Sequence, residues 1–217
     1  MKLFWAALSG VLCTAHISFA EPRVTYNAYG MPGLVDMPNA QSALDAELSF
    51  SVSQSGESLR NTLTFQIAPR LTGAFRYAST ERPQGTLYDR SFDLRYRLLD
   101  ETHLRPAVAA GLQDFIGTGV YSGEYVAASK SFGPVVATAG IGWGRLGSHN
   151  SFDNPLGMIS SRFDTRDAGY TGTGGRIESA RWFRGPAAFF AGFAWPVTDK
   201  VTLKAEYSSN AYKKEVS

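Results

Sequence analysis

Residues 90–99 read Arg-Ser-Phe-Asp-Leu-Arg-Tyr-Arg-Leu-Leu. Phe92, Leu94, Tyr96 and Leu98 take every second place, with Ser91, Asp93, Arg95 and Arg97 between them. Successive side chains of a strand point to opposite faces, so this stretch has one apolar wall and one polar wall. Helical spacing would put Asp93 and Arg97 inside the leucine stripe. The stretch reads as a strand.

The same period recurs on either side. Leu44, Ala46, Leu48, Phe50 and Val52 alternate with polar residues through Ser53, and Val201, Leu203, Ala205 and Tyr207 do so through Ser208. Weaker copies lie at 59–67, 71–77, 106–114, 120–131, 134–146 and 187–195, where glycine and alanine blur the pattern. Nine strands are expected, with the boundary at Pro69 the least sharply marked. Several run nine to twelve residues, beyond the usual five or six and close to the nine to eleven that cross a bilayer at a tilt. No stretch after Ala20 holds the roughly eighteen apolar residues of a spanning helix.

The connections are uneven in length. If the chain enters from the periplasmic side, the turns at Pro69, 100–105, 133–134 and 196–200 are all short. The two longest connections, 79–89 and 147–186, then share the outer side, as in outer-membrane barrels. Tyr88, Phe92, Tyr121, Tyr125, Trp143, Phe193, Trp195 and Tyr207 lie on or near strand ends and apolar walls, where interfacial rings belong. The fold expected is an all-β, antiparallel transmembrane β-barrel over residues 44–217, with a long outer loop at 147–186. Residues 21–43 form a Gly/Pro-rich segment whose turn-forming composition suits a plug.

Residues 1–20 have the layout of a secretory signal peptide: one charge at Lys2, an apolar run to Ile17, and Ser18-Phe19-Ala20 before the cut. The rival is a lipoprotein signal ending at Cys13, which would want a small residue where Leu12 stands. Cleavage after Ala20 removes the only cysteine, leaving no disulfide or thiolate metal site. It leaves 20 basic residues against 19 acidic ones, a balance that argues against nucleic acid as a partner.

Five stretches stand out in order. They are Asn27-Ala28-Tyr29-Gly30-Met31-Pro32-Gly33-Leu34-Val35-Asp36-Met37-Pro38, then Tyr88 to Asp93, then Gly111 to Tyr125, then Gly142-Trp143-Gly144-Arg145-Leu146-Gly147, and last Lys204-Ala205-Glu206-Tyr207-Ser208-Ser209. Together they resemble the YjbH family of outer-membrane exopolysaccharide-biosynthesis proteins over nearly all of the mature chain. The resemblance implies a role in producing or exporting an extracellular polysaccharide, with no catalytic residues to carry over. It implies outer-membrane lipid as a partner, and exopolysaccharide and other secretion proteins as further ones. Family members are typically longer, and some look like lipoproteins. Nine strands also leave the last one without a return strand, whereas bacterial barrels close with even numbers. An amino-terminal fragment is therefore expected, or a missing strand supplied by a neighbouring gene product.

His103 and His149 have no recognisable spacing to metal or acid–base partners; Asp153 near His149 is the sole candidate, and solvated loop histidine is the better reading. Gly172-Thr173-Gly174-Gly175 lacks the strand, lysine and helix of a phosphate loop. No enzyme activity, cofactor or metal is expected. The polar wall holds Arg76, Asp93, Arg95, Arg97, Glu124, Lys130, Arg145, Lys204 and Glu206, expected to face the lumen. Mixed charge there suits structural pairing first, and a path for sugars or anions second. Two other functions fit the same strands: an adhesion-type outer-membrane protein binding through loop 147–186, and a periplasmic sugar-binding β-sandwich, which would bury the apolar wall.

Overall fold

The computed structural model describes residues 24–167, 175–177 and 179–213. The leader at 1–20 and most of the 172–175 glycine run lie outside these residues.

The alternating stretches form β1 (Leu48–Ser55), β2 (Ser58–Ala68), β3 (Leu71–Thr80), β4 (Leu87–Leu99), β5 (Ala107–Gly117), β6 (Gly123–Phe132), β7 (Val135–Gly144), β9 (Ala187–Thr198) and β10 (Val201–Tyr207). All neighbours are antiparallel and follow chain order in one sheet. A two-residue strand, β8 (Arg176–Ile177), pairs with the end of β5 beyond the start of β6. Among the described residues there is no α-helix, and no helix long and apolar enough to cross a membrane.

Several strand boundaries differ from expectation by two or three residues or more, and two of them have a clear backbone cause. β1 begins at Leu48 and not at Leu44, because Ala46 turns the chain at φ +62 and donates its N–H to the Gln66 carbonyl. β5 runs on past Asp114, which sits at φ +48 in an irregular stretch: Leu94 pairs with Leu112, but Phe92 pairs with Ile116. Asp is among the few residues that tolerate this conformation. The irregularity turns Gln113 and Asp114 both into the interior, against strict alternation.

The sheet is amphipathic in the inverted sense. On β2, Leu59, Leu63, Phe65 and Ile67 are exposed while Arg60, Thr62, Thr64 and Gln66 are buried. On β4, Phe92, Tyr96 and Leu98 are exposed, and Asp89, Ser91, Asp93 and Arg95 are buried. Arg60, Arg76 and Arg95 are each 1% exposed, against 67% for Phe50 and 64% for Phe189. No second sheet covers the apolar wall among the described residues.

The sheet curls as a half-barrel around its polar face. β1 and β10 stand at opposite ends of the strand order, yet both reach Tyr26: the Ser49 hydroxyl donates to the Tyr26 hydroxyl (2.8 Å), and Lys204 Nζ donates to the Tyr26 carbonyl (3.0 Å). No β1–β10 pairing occurs among the described residues. The seam is bridged by the amino-terminal segment.

Candidate functional site

The concave polar face is occupied by residues 24–43. Asn27 folds this segment: its Oδ1 accepts from the Tyr29 and Met31 N–H groups (3.0 and 3.1 Å), and its Nδ2 donates to the Asp36 carbonyl (3.0 Å). Gly30, at φ +76, lies so close to β2 that a Cβ would come within 2.4 Å of Thr62. Only glycine meets both demands. Tyr29, Met31, Leu34, Met37 and Ala40 are all buried.

Each part of the wall then grips this segment. The Thr62 and Thr64 hydroxyls donate to the Tyr29 and Gly30 carbonyls (3.2 and 2.6 Å). The Glu206 carboxylate accepts from three successive N–H groups, those of Val35, Asp36 and Met37 (2.9–3.1 Å). Lys204 Nζ also donates to the Leu34 carbonyl (2.7 Å), Arg95 donates to the Gln41 carbonyl, and the Ala40 N–H donates to Ser129 Oγ (2.9 Å). An apolar cluster of Met37, Tyr125, Ala127, Leu146 and Phe190 closes the other side.

At the centre, the Tyr29 ring meets three guanidinium groups. Arg145 lies 3.8 Å, Arg60 4.5 Å and Arg76 4.9 Å from its centroid. A desolvated cation over an aromatic face contributes roughly 0.5–2 kcal/mol. Like charges converging out of water need counter-charges, and carboxylates supply them. Asp93 takes Arg76 in a two-pronged contact (2.8 and 3.0 Å), and Asp36 takes Arg145 (3.0 Å). Asp93 Oδ1 also accepts the N–H of Asp114 (2.8 Å), so the irregular stretch of β5 is tied to the same network. Burial pushes the Tyr26 hydroxyl above its ordinary pKa, and at the seam it donates to Glu47 (2.8 Å).

The nine charged residues read from the sequence do not share one environment. Arg76, Asp93, Arg95, Arg145, Lys204 and Glu206 face the interior and hold the segment or its network. Arg97 sits at the turn end of the sheet, paired with Asp100 (2.9 Å). Glu124 and Lys130 need correction. On β6 the inward residues are Gly123, Tyr125, Ala127 and Ser129, as the Ser129 and Tyr125 contacts establish, so Glu124 and Lys130 alternate to the outer face. Small residues on both walls of β6 hid this. Lys130 caps the turn end against Glu101 (3.2 Å). Burial acts to raise the Glu101 pKa, but hydrogen bonds from the Ser131 N–H and hydroxyl and from Lys130 outweigh it and hold the group below its usual range. Glu124 is buried beneath loop 147–186, where Arg166 binds it through two contacts (2.6 and 3.0 Å) and the Phe183 N–H donates to it (2.9 Å).

Several contributors escaped the sequence reading. Arg60 and Gln66 lie on the polar parity of β2 and were within reach of the alternation argument. Asp36, Gln113, Asp114 and Arg166 were not, since loops and an irregular strand position them. His103 and His149 are exposed, and the described residues contain no group of three metal-ligating side chains.

Glu206 is the most economical test of this arrangement. Glu206→Ala removes three charge-assisted bonds to the buried segment; even one is worth roughly 1.5–3 kcal/mol. Opening of the segment should rise about ten-fold or more. Limited proteolysis followed by mass spectrometry should locate faster cleavage within residues 26–40, and an unchanged rate would mean that Glu206 does not anchor it.

Comparison with known proteins agrees with the sequence resemblance. A family model described as exopolysaccharide biosynthesis protein YbjH matches residues 25–217. The chain is 34% identical over 198 residues to a protein of Escherichia coli (strain K12) named uncharacterized lipoprotein YjbH, an alignment covering 86% of this chain. The chain spans 28% of the length of that relative. No solved structure matches. With the family model covering the whole of the folded region, this chain belongs to the YjbH exopolysaccharide biosynthesis family.

Proposed function

We propose that this chain spans the outer membrane as a curled, plugged β-sheet and serves extracellular polysaccharide production or export as a non-catalytic accessory. The observation that carries the membrane reading is the inverted sheet: apolar side chains cover the convex face, and buried ions line the concave one. In water, exposing this many large apolar side chains costs about 25 cal/mol per Å²; in hydrocarbon the cost vanishes. A periplasmic sandwich would bury the opposite wall.

Dimensions and aromatic placement support the same reading. Most strands have 10–13 residues. At about 3.3 Å per residue and a tilt of about 40°, they give a band roughly 25–33 Å tall. Aromatic pairs follow one another around the end that carries the long loop: His149–Tyr207, Phe152–Phe189, Trp143–Phe183, Phe115–Trp182 and Tyr77–Tyr88. Tyr96, Phe132 and Trp195 mark the turn end. Rings at both levels suit a headgroup layer.

The role in polysaccharide output rests on family membership. The Escherichia coli relative is named a lipoprotein, which supports an envelope location. The seated segment favours an accessory acting through its surface and loops over an open conduit, since wall residues from β2, β4, β6 and β10 all bind that segment. Two measurements test the proposal. Membrane fractionation with heat-modifiability on a gel should retain the protein in the outer membrane, and release into the soluble periplasmic fraction would remove the barrel. Deletion of the gene should lower secreted polymer mass, and unchanged output would move the function to adhesion through loop 147–186.

A further inference from the structure

Described residues of the long loop pack on the outer wall of the sheet. Phe152 exchanges two backbone hydrogen bonds with Ala187 (2.8 and 3.0 Å), and its ring stacks on Phe189, an outward residue of β9, at 4.7 Å. Trp143, outward on β7, is covered edge-on by Phe183 at 5.2 Å and donates its indole N–H to Asn154 Oδ1 (3.0 Å). Asn154 Nδ2 in turn donates to the Phe163 and Phe183 carbonyls (both 2.8 Å), clamping the two arms of the loop together. Arg166 anchors the next stretch on the outward Glu124. Further on, Ile177 extends the wall as part of β8.

This seat gives an otherwise odd feature a place. Directly after Asn154, the short helical turn Pro155–Met158 presents Met158 (93% exposed) and Ile159 (79% exposed). Two large apolar side chains are at the tip of a loop that is fixed beside an apolar wall. The following turn, Ser161–Phe163, exposes Arg162. Exposed Asp153 and Asp164 flank the stretch as well, but within 155–162 the one charge is a cation, which suits a segment whose apolar side chains lie below the lipid phosphates and whose cation lies among them.

We propose that the 155–162 tip is a lipid-interface anchor: Met158 and Ile159 enter the acyl boundary of the membrane around the sheet, and Arg162 pairs with lipid phosphate. The inference rests on the membrane reading above. It gives the described residues of the long loop the role of a fixed collar against β5, β6, β7 and β9. The occupant of this apolar tip is lipid and not a second protein, because the tip follows closely on Phe152, which stacks on the outward Phe189 of the apolar wall.

The test uses the full chain with its one cysteine removed (Cys13→Ser) and single cysteines introduced at Met158→Cys, Leu63→Cys and Gln84→Cys. Each carries an environment-sensitive fluorophore in vesicles whose lipids bear nitroxides both near the top and near the end of the acyl chain, so that interfacial and midplane sites are both reported. Leu63 lies on the outward wall of β2, and Gln84 is exposed in the β3–β4 loop. Quenching at position 158 should be roughly two-fold or more and should resemble that at 63, while 84 stays unquenched. Ile159→Cys provides a second copy of the measurement at an equally exposed site. If 158 and 159 behave like 84 while 63 is quenched, the tip stands in water and the anchor is refuted with the membrane reading intact. If 63 is also unquenched, the membrane reading itself has failed and takes the anchor with it.

Discussion

Asp93→Ala is expected to cost about 3–5 kcal/mol of stability, enough to remove most of the folded population of a marginally stable domain. Arg76 is 1% exposed, and its guanidinium donates to both oxygens of Asp93, to the Ser91 hydroxyl and to the Tyr29 carbonyl. Deleting the carboxylate leaves a buried cation with neutral acceptors only, beside the charges of Arg60 and Arg145 on the same tyrosine ring. It also leaves the Asp114 N–H without its acceptor. Removing both ions together should hurt less, because the desolvation cost of the cation disappears with it. The double variant Arg76→Met with Asp93→Leu is therefore expected to be more stable than Asp93→Ala alone. Urea midpoints in detergent, followed by tryptophan fluorescence, read both. A single variant costing less than about 1 kcal/mol would show that water, and not Asp93, solvates Arg76.

The second large effect separates lipid from water on the convex face. Leu63 is 44% exposed near the middle of β2, between Thr62 and Thr64, which point inward to the plug. Leu63→Arg in a membrane-spanning strand is expected to cost about 2–4 kcal/mol, since the guanidinium lies near the bilayer midplane. The same change on a face bathed in water would stay within about 0.5 kcal/mol and would improve solubility. Gln84→Arg, in the exposed β3–β4 loop, provides the neutral reference. Folding into lipid vesicles at a series of urea concentrations gives the difference directly. A neutral Leu63→Arg would remove the membrane reading without touching the fold.

The two variants probe opposite walls of one sheet, and both walls follow from alternation. In residues 90–99 the period of two is strict, so inward Asp93 and Arg95 and outward Phe92 and Tyr96 were legible before any coordinates. β6 defeated the same rule. Its glycine and alanine residues fit either wall, and Glu124 was assigned to the interior although its neighbours Gly123 and Tyr125 are the residues that point there. Asp114 defeated it for a different reason. A positive φ shifts the register between β4 and β5, and period counting has no means to register an added residue. Arg145 was placed on a strand, but it leaves β7 in a short helical turn, Arg145–Gly147, and still reaches Asp36 inside.

Local order was the property of the sequence alone: strands, their two walls, the short turns on one side and the long loop on the other. Each follows from backbone geometry acting over a few residues, where side-chain direction repeats every second position. Tertiary structure alone decided what filled the concave face. It joined Glu206 to Val35 across 171 positions and Lys204 to Tyr26 across 178, and it laid the long loop along the outer surface. Such contacts depend on curvature summed over the whole sheet, a quantity that no local pattern of residues carries.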